Sequence, residues 1–226
     1  MILRGQMITL ECRDGAKIGC YRVEPQGKRR GGLVLIQEIF GVTDHIKELC
    51  DGYAADGYEV MAPALYDREA PGLQASYSPE DIQKCIAIAR QQHPLDLSIA
   101  DTQTAIDALE PKGPVFITGY CYGGSIAWLA ACRCRGLAAA SGYYGSMIPA
   151  TANDQPKCPV ILHFGRHDHG IPMEGVEKFI KAHPDMPVHV YEAGHGFNSD
   201  RRSDYHEESA KLARARTLEL FRANGG

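Results

Sequence analysis

Three residues of this chain have the types and settings of a nucleophile, a base and an acid that orients the base. Cys121 lies in Gly119-Tyr120-Cys121-Tyr122-Gly123-Gly124, directly after the apolar run VFIT and before the small-residue segment SIAWLAA. Strand, tight turn and helix in that order make a nucleophile elbow, with sulfur at the position where such turns often carry a serine oxygen. Glycines two residues to either side let the chain close sharply without collision. The N-terminus of the following helix adds partial positive charge, which favours a thiolate and then the oxyanion that forms when it attacks a carbonyl. Cys12, Cys20, Cys50, Cys85, Cys132, Cys134 and Cys158 lack this setting and read as buried structural thiols.

A thiol needs a base, and in this arrangement the acid and the histidine follow the nucleophile on loops after later strands. Asp168 sits in Gly165-Arg166-His167-Asp168, just beyond the run PVILHF, and His195 sits in Ala193-Gly194-His195-Gly196-Phe197, beyond VHVYE. The carboxylate would hold the imidazole in one tautomer and stabilise its charged form. Each has a plainer reading: Asp168 as the cap of a helix starting near Pro172, His195 as an ordinary loop histidine. His163, His167 and His169 with Asp168 raise the separate idea of a metal site. Because His163 falls on a strand and no H-E-x-x-H or C-x-x-C spacing organises the set, the expectation is no metal and no cofactor.

Those residues need a scaffold. Apolar, β-branched runs at 32–37, 58–62, 114–119, 137–142, 159–164 and 188–191 read as strands buried on both faces. Helical patterns lie between them. One starts at Thr43 or Asp44, carries Ile46, Leu49, Cys50, Tyr53 and Ala54 on one stripe, and ends at Gly57. A second runs through Leu95, Ile99, Thr102, Ile106 and Leu109 until Pro111 stops it. The last, from Ser203 to about Phe221, would turn Leu212, Ala213, Leu220 and Phe221 inward. Strand and helix in alternation predict a mostly parallel sheet flanked by helices on both faces, with an antiparallel hairpin at 7–12 and 17–23 added at its edge around Asp14-Gly15.

Composition narrows the partners. A chain of 226 residues with 44% hydrophobic residues can build one substantial core, and one domain spanning residues 1–226 is expected. A net charge of −4, with basic residues scattered except at Lys28-Arg29-Arg30, offers no footprint for nucleic acid. Residues 1–11 do not resemble a signal peptide, and no run of about 18 apolar residues suggests a membrane span. A cytoplasmic monomer with reduced thiols, acting on a small molecule and not on a membrane, is the expectation.

The motifs QEIFG (37–41), LYDREAPG (65–72), GYCYGG (119–124) and AGHGF (193–197), with Asp168 in its loop, make the chain similar to the dienelactone hydrolases, also called carboxymethylenebutenolidases, over nearly its whole length. That resemblance implies an α/β-hydrolase fold and the opening of a carboxylated enol-lactone, dienelactone to maleylacetate, through a cysteine acyl-enzyme. It also implies that Glu38 meets the thiol and helps generate the thiolate. A carboxylate at the C-terminal end of a parallel strand does face the ligand crevice, although a solvated strand-end glutamate is the plain alternative. The N–H groups of Ile39 and Tyr122 would form the oxyanion hole. Arg68 matches an arginine that binds the substrate carboxylate, whereas the family's second such arginine falls at Ser199, leaving Arg201 or Arg202 to reach that space. Tyr143 and Tyr144 are candidates for the pocket lining or for core packing. A broader carboxylesterase or thioesterase with the same triad is the second reading, and a non-catalytic, metal-dependent binding module the third.

Overall fold

The computed structural model describes residues 4–226, so the first three positions of the 1–11 segment lie outside the described residues. Eight strands form one sheet in the order β1-β2-β4-β3-β5-β6-β7-β8. β1 (Gln6–Glu11) and β2 (Lys17–Val23) make the expected edge hairpin, and β2 pairs antiparallel with β4 (Tyr58–Pro63). Beyond β4 every pairing is parallel, through β3 (Gly31–Ile36), β5 (Val115–Tyr120), β6 (Leu137–Tyr143), β7 (Val160–Gly165) and β8 (Val188–Tyr191). Every position of β3, β4, β5 and β7 is buried, which is why these strands read as continuous apolar runs and not as alternation.

The chain leaves β3 for β4 on one side, then returns to place β5 on the other. Strand order therefore reverses between β3 and β5, and the crevice at their carboxyl ends is where sheets of this kind bind ligands. Glu38 follows β3 and Cys121 follows β5, so the topology brings both to that crevice.

Among the described residues six α-helices accompany the strands: α1 (Asp44–Ala55), α2 (Pro79–Ala87), α3 (Leu95–Leu109), α4 (Tyr122–Arg133), α5 (Met173–Ala182) and α6 (Glu207–Ala223). Thr43 occupies the N-cap of α1, but its hydroxyl makes no capping bond. α6 begins at Glu207, not Ser203, because residues 196–206 are spent on successive turns, with Arg202 N–H donating to Ser199 O and Tyr205 N–H to Arg202 O. Its buried stripe is Ala210, Ala213, Thr217 and Phe221, at spacings of three and four. Leu212, expected inside, falls off that stripe and is 46% exposed. α2 has no counterpart among the expected elements, although Ser78 caps it through Asp81 N–H and Pro79 occupies its first turn.

Arg68 is a structural tie. Its guanidinium donates to both oxygens of Asp101, which is fully buried on α3, and to Asp14 in the hairpin turn, with closest contacts of 2.6 and 2.7 Å. A guanidinium so engaged has no fork left for a substrate carboxylate, so the role implied for Arg68 by resemblance gives way to one in fastening the hairpin to α3. Removing one partner of a buried ion pair costs about 3–5 kcal/mol, because the other charge stays buried and unpaired. Arg68→Ala should therefore lower the unfolding free energy measured by urea titration by an amount in that range, with the midpoint falling accordingly, and adding Asp101→Asn should recover part of the loss. An unchanged midpoint together with a lost preference for anionic substrate would return Arg68 to recognition.

Candidate active site

The elbow is built from backbone geometry. Cys121 has φ 55° and ψ −114°, a conformation that costs a non-glycine residue about 1–3 kcal/mol and that the surrounding packing must enforce. Cys121 N–H donates to Tyr143 O at 3.0 Å, which fastens the turn to β6. A Cβ on Gly119 would lie 2.1 Å from Gly123 O, and one on Gly123 would lie 2.4 Å from Ile36 O. No side chain fits at either position. The glycines are thus needed for close approach of β5, α4 and β3, and the sulfur is lifted above the sheet.

Cys121 Sγ lies 3.2 Å from His195 Nε2, and His195 Nδ1 lies 2.6 Å from Asp168 Oδ2. The second oxygen of Asp168 accepts from Gly170 N–H at 2.8 Å, and Pro172 is the N-cap of α5, so the carboxylate serves the histidine and not that helix. Tyr144 packs edge-on against the imidazole at 5.2 Å. Burial opposes charging of His195, but its hydrogen bonds to Asp168 and Cys121, and their negative charges, outweigh this and push its pKa up to about 10. Sulfur, imidazole and carboxylate are thus linked in succession through His195.

Glu38 is buried beside this line but bonds elsewhere. One oxygen accepts from Tyr77 O–H at 3.1 Å, and the other has no partner among the described residues. The hydrogen-bond partner of the sulfur is His195, not Glu38. Ile39 and Tyr122 both border the cavity with Cys121, and neither backbone N–H meets an acceptor among the described residues. Tyr122 is fixed from behind by a buried chain: its O–H and Ser98 Oγ lie 2.7 Å apart, Ser98 Oγ and His93 Nε2 2.9 Å, and His93 Nδ1 and Glu69 2.8 Å.

The remaining candidates separate. Arg202 borders the cavity with its guanidinium 5.7 Å from the centre of the Tyr77 ring. Arg201 is paired with Glu48 at 2.7 Å and Asp200 at 2.9 Å and does not border the cavity. Tyr143 and Tyr144 are core residues: the Tyr143 hydroxyl is 2.8 Å from Thr217, and neither ring lines the cavity. His163 is buried between Tyr191 and Thr217, at 2.9 and 3.1 Å, and among the described residues no three metal-ligating side chains converge. Sequence reasoning missed Tyr77, Ile82, Ile86 and Arg90. For α2 the signal was present, Ser78-Pro79 before an acidic turn, while nothing local marks Tyr77.

Strand order, elbow and the chain order Cys–Asp–His together define an α/β-hydrolase fold. The dienelactone hydrolase family pattern matches residues 18–225. A chain named "Putative carboxymethylenebutenolidase" from Salmonella typhimurium is 34% identical over 213 residues, 86% of this chain and 77% of that one. "Carboxymethylenebutenolidase 1" from Cupriavidus pinatubonensis is 29% identical over 230 residues, 95% of each chain. A crystal structure described as a "Putative Dienelactone Hydrolase" from Klebsiella pneumoniae superposes with a TM-score of 0.85 at 30% identity, covering 96% of this chain and 98% of that one. The chain belongs to the dienelactone hydrolase family and is a carboxylic ester hydrolase.

The raised pKa of His195 has a sign that can be measured. Since the folded value lies above the ordinary 6.5, the stability contributed by the charged ring is complete below pH 6.5 and is lost as pH rises through about 10. The Tm difference between wild type and His195→Asn should be largest near pH 6 and shrink toward pH 10. NMR titration of His195 should give a midpoint near 10 that falls in Asp168→Asn. A midpoint near 6.5 in the wild type contradicts the ion-pair description.

Proposed function

We propose that Cys121 is the nucleophile of an acyl-enzyme hydrolase acting on small carboxylic esters or enol-lactones, a reading carried by the 3.2 Å contact between its sulfur and His195. The thiolate attacks the carbonyl carbon, and the oxyanion settles on the N–H groups of Ile39 and Tyr122. The carbon–oxygen bond breaks, and the departing enolate or alkoxide takes the proton from the imidazolium. A water then attacks the thioester while neutral His195 accepts its proton. Collapse releases the carboxylic acid and restores the thiolate and imidazolium. Glu38, with one oxygen uncommitted, is a second proton acceptor for the thiol as substrate displaces the resting contacts. No step calls on a cofactor. Residues 1–226 act as one domain. All the groups in this scheme come from one chain, which suits a monomer, and the eight unpaired thiols suit a reducing cytoplasm. No helix among the described residues is long and apolar enough to cross a membrane.

For the substrate, the names of the relatives favour a carboxylated enol-lactone, with Arg202 as the counter-charge that Arg68 cannot supply. The commitment of Arg68 to Asp101, and the serine at position 199, favour instead a broader carboxylesterase or thioesterase acting on neutral substrates through the same triad. Comparing kcat/KM for a carboxylated lactone and its methyl ester separates the two. If the carboxylate is read, Arg202→Ala lowers turnover of the acid about tenfold, one charge-assisted contact, and spares the methyl ester. Equal values for acid and ester select the broad esterase.

Cys121→Ala should retain the fold and lose at least about a thousandfold in kcat, as expected when the nucleophile of a triad is removed. Rapid quenching of the wild type with an activated ester should place the acyl mass on the peptide containing Cys121. Retained turnover, or an acyl group on Cys85 or Cys132, rules the mechanism out.

A further inference from the structure

We infer that α2 and the turn after it form an acyl-binding wall, and that the substrate carries an apolar acyl group of several carbons on the side of the ester facing this wall. The inference rests on the cysteine acyl-enzyme reading and specifies the substrate class of that site. A cavity of about 470 Å³ opens at Cys121, within the range of about 300–1,000 Å³ usual for small-molecule sites. Ile82, Ile86 and Ala89 border it, joined by Met147 from the loop after β6. In α2 itself only Cys85 is fully buried, whereas Ile82 and Ile86, one turn apart, are only partly covered. An apolar pair at i and i+4 normally seals against the core. Here it lines the cavity beside the sulfur.

The backbone reinforces this. After α2 the chain makes a π-turn over Ile88–Gln92, closed by His93 N–H donating to Ile88 O at 2.9 Å. The widened turn keeps Ile88 in the core while both Ala89 and Arg90 border the cavity, and such turns gather at functional sites. The segment is fastened at both ends, by Ser76 N–H donating to Asp81 at 2.7 Å and by His93 with its bonds to Glu69 and Ser98. A wall held at both ends loses little order when it binds.

Strand order says which half of the ester meets the wall. α2 belongs to the excursion that leaves β4, while His195 follows β8, and β5 with Cys121 lies between them. His195 must face the leaving oxygen to protonate it. The acyl substituent therefore extends the other way, toward Ile82 and Ile86. Of the arginines at the cavity, Arg202 comes from the loop after β8, while Arg90 follows Ala89 in the turn after α2 and borders the cavity at the end of the wall, beyond the isoleucines in sequence.

The test is a series of p-nitrophenyl acetate, butyrate, hexanoate and octanoate. In the wild type kcat/KM should rise roughly fourfold for each methylene added, as expected for burying one in an apolar pocket, until the cavity is filled. Ile86→Asp should lower hexanoate turnover at least tenfold more than acetate turnover, and Ile86→Trp should move the optimum to shorter chains. Both variants are checked by circular dichroism and Tm. A flat series in the wild type, or an unaltered profile in both folded variants, overturns the acyl wall even if Cys121→Ala abolishes all turnover. Hydrolysis that persists in Cys121→Ala is a failure of the cysteine reading instead.

Discussion

The contact between a sulfur at a strained turn and an imidazole charged by its neighbours organises the rest of this molecule. It needs Cys121 held at a φ of 55°, a conformation the residue would not keep in isolation. The elbow enforces it by packing β3, β5 and α4 so closely that neither Gly119 nor Gly123 has room for a Cβ. The contact also needs His195 to keep its proton, which Asp168 ensures from a nearly solvent-free position, 2.6 Å from Nδ1. Three loops from three strands must therefore agree on one point at the carboxyl edge of the sheet. The all-parallel stretch from β4 to β8 supplies that agreement, because each of these strands ends on the same side.

How much could be read beforehand follows from the range over which each cause acts. The elbow was legible in Gly119–Gly124, because close approach and a tight turn select glycine whatever lies elsewhere in the chain. Asp168 and His195 were legible because each follows its strand in the order this architecture uses. Arg68 was misread since its role is set by Asp14 and Asp101, which are 54 and 33 residues away, and no local pattern predicts those partners. Leu212 was misplaced because the buried stripe of α6 runs through Ala210, Ala213, Thr217 and Phe221, and a residue adjacent to Ala213 points roughly a quarter turn away from it. α2 was passed over although its signal was present. Ile82, Cys85, Ile86 and Ala89 recur at i, i+3, i+4 and i+7 behind the Ser78-Pro79 start, so the helix was legible, but nothing local says that this stripe borders a cavity.

The distribution of charge around the cavity follows from these same placements. Arg68 is neutralised against Asp14 and Asp101, Arg201 against Glu48 and Asp200, and Ser199 stands where a second arginine was implied. Basic residues of the sequence motif are thereby spent on holding loops together. Arg202 stays at the cavity, its guanidinium over the ring of Tyr77, whose hydroxyl in turn bonds Glu38. An anion drawn to Arg202 would arrive next to the buried carboxylate through a single tyrosine. Tyr77 therefore touches both the cation at the cavity and the buried carboxylate.

Glu38 is the buried end of this chain of contacts. One of its oxygens is on Tyr77 and the other has no partner among the described residues, an incompletely satisfied arrangement that is costly for a buried polar group and is relieved by a new donor. In the proposed reaction the thiol of Cys121 is such a donor, met if the Glu38 side chain swings from Tyr77 toward the sulfur. Of the two acceptors in that proposal, His195 is the one that lies within hydrogen-bond distance of the sulfur, at 3.2 Å. On that reading, a ligand that displaces Tyr77 frees Glu38 for the second role, and the reactivity of the thiol would depend on the occupant of the cavity as well as on the elbow that presents it.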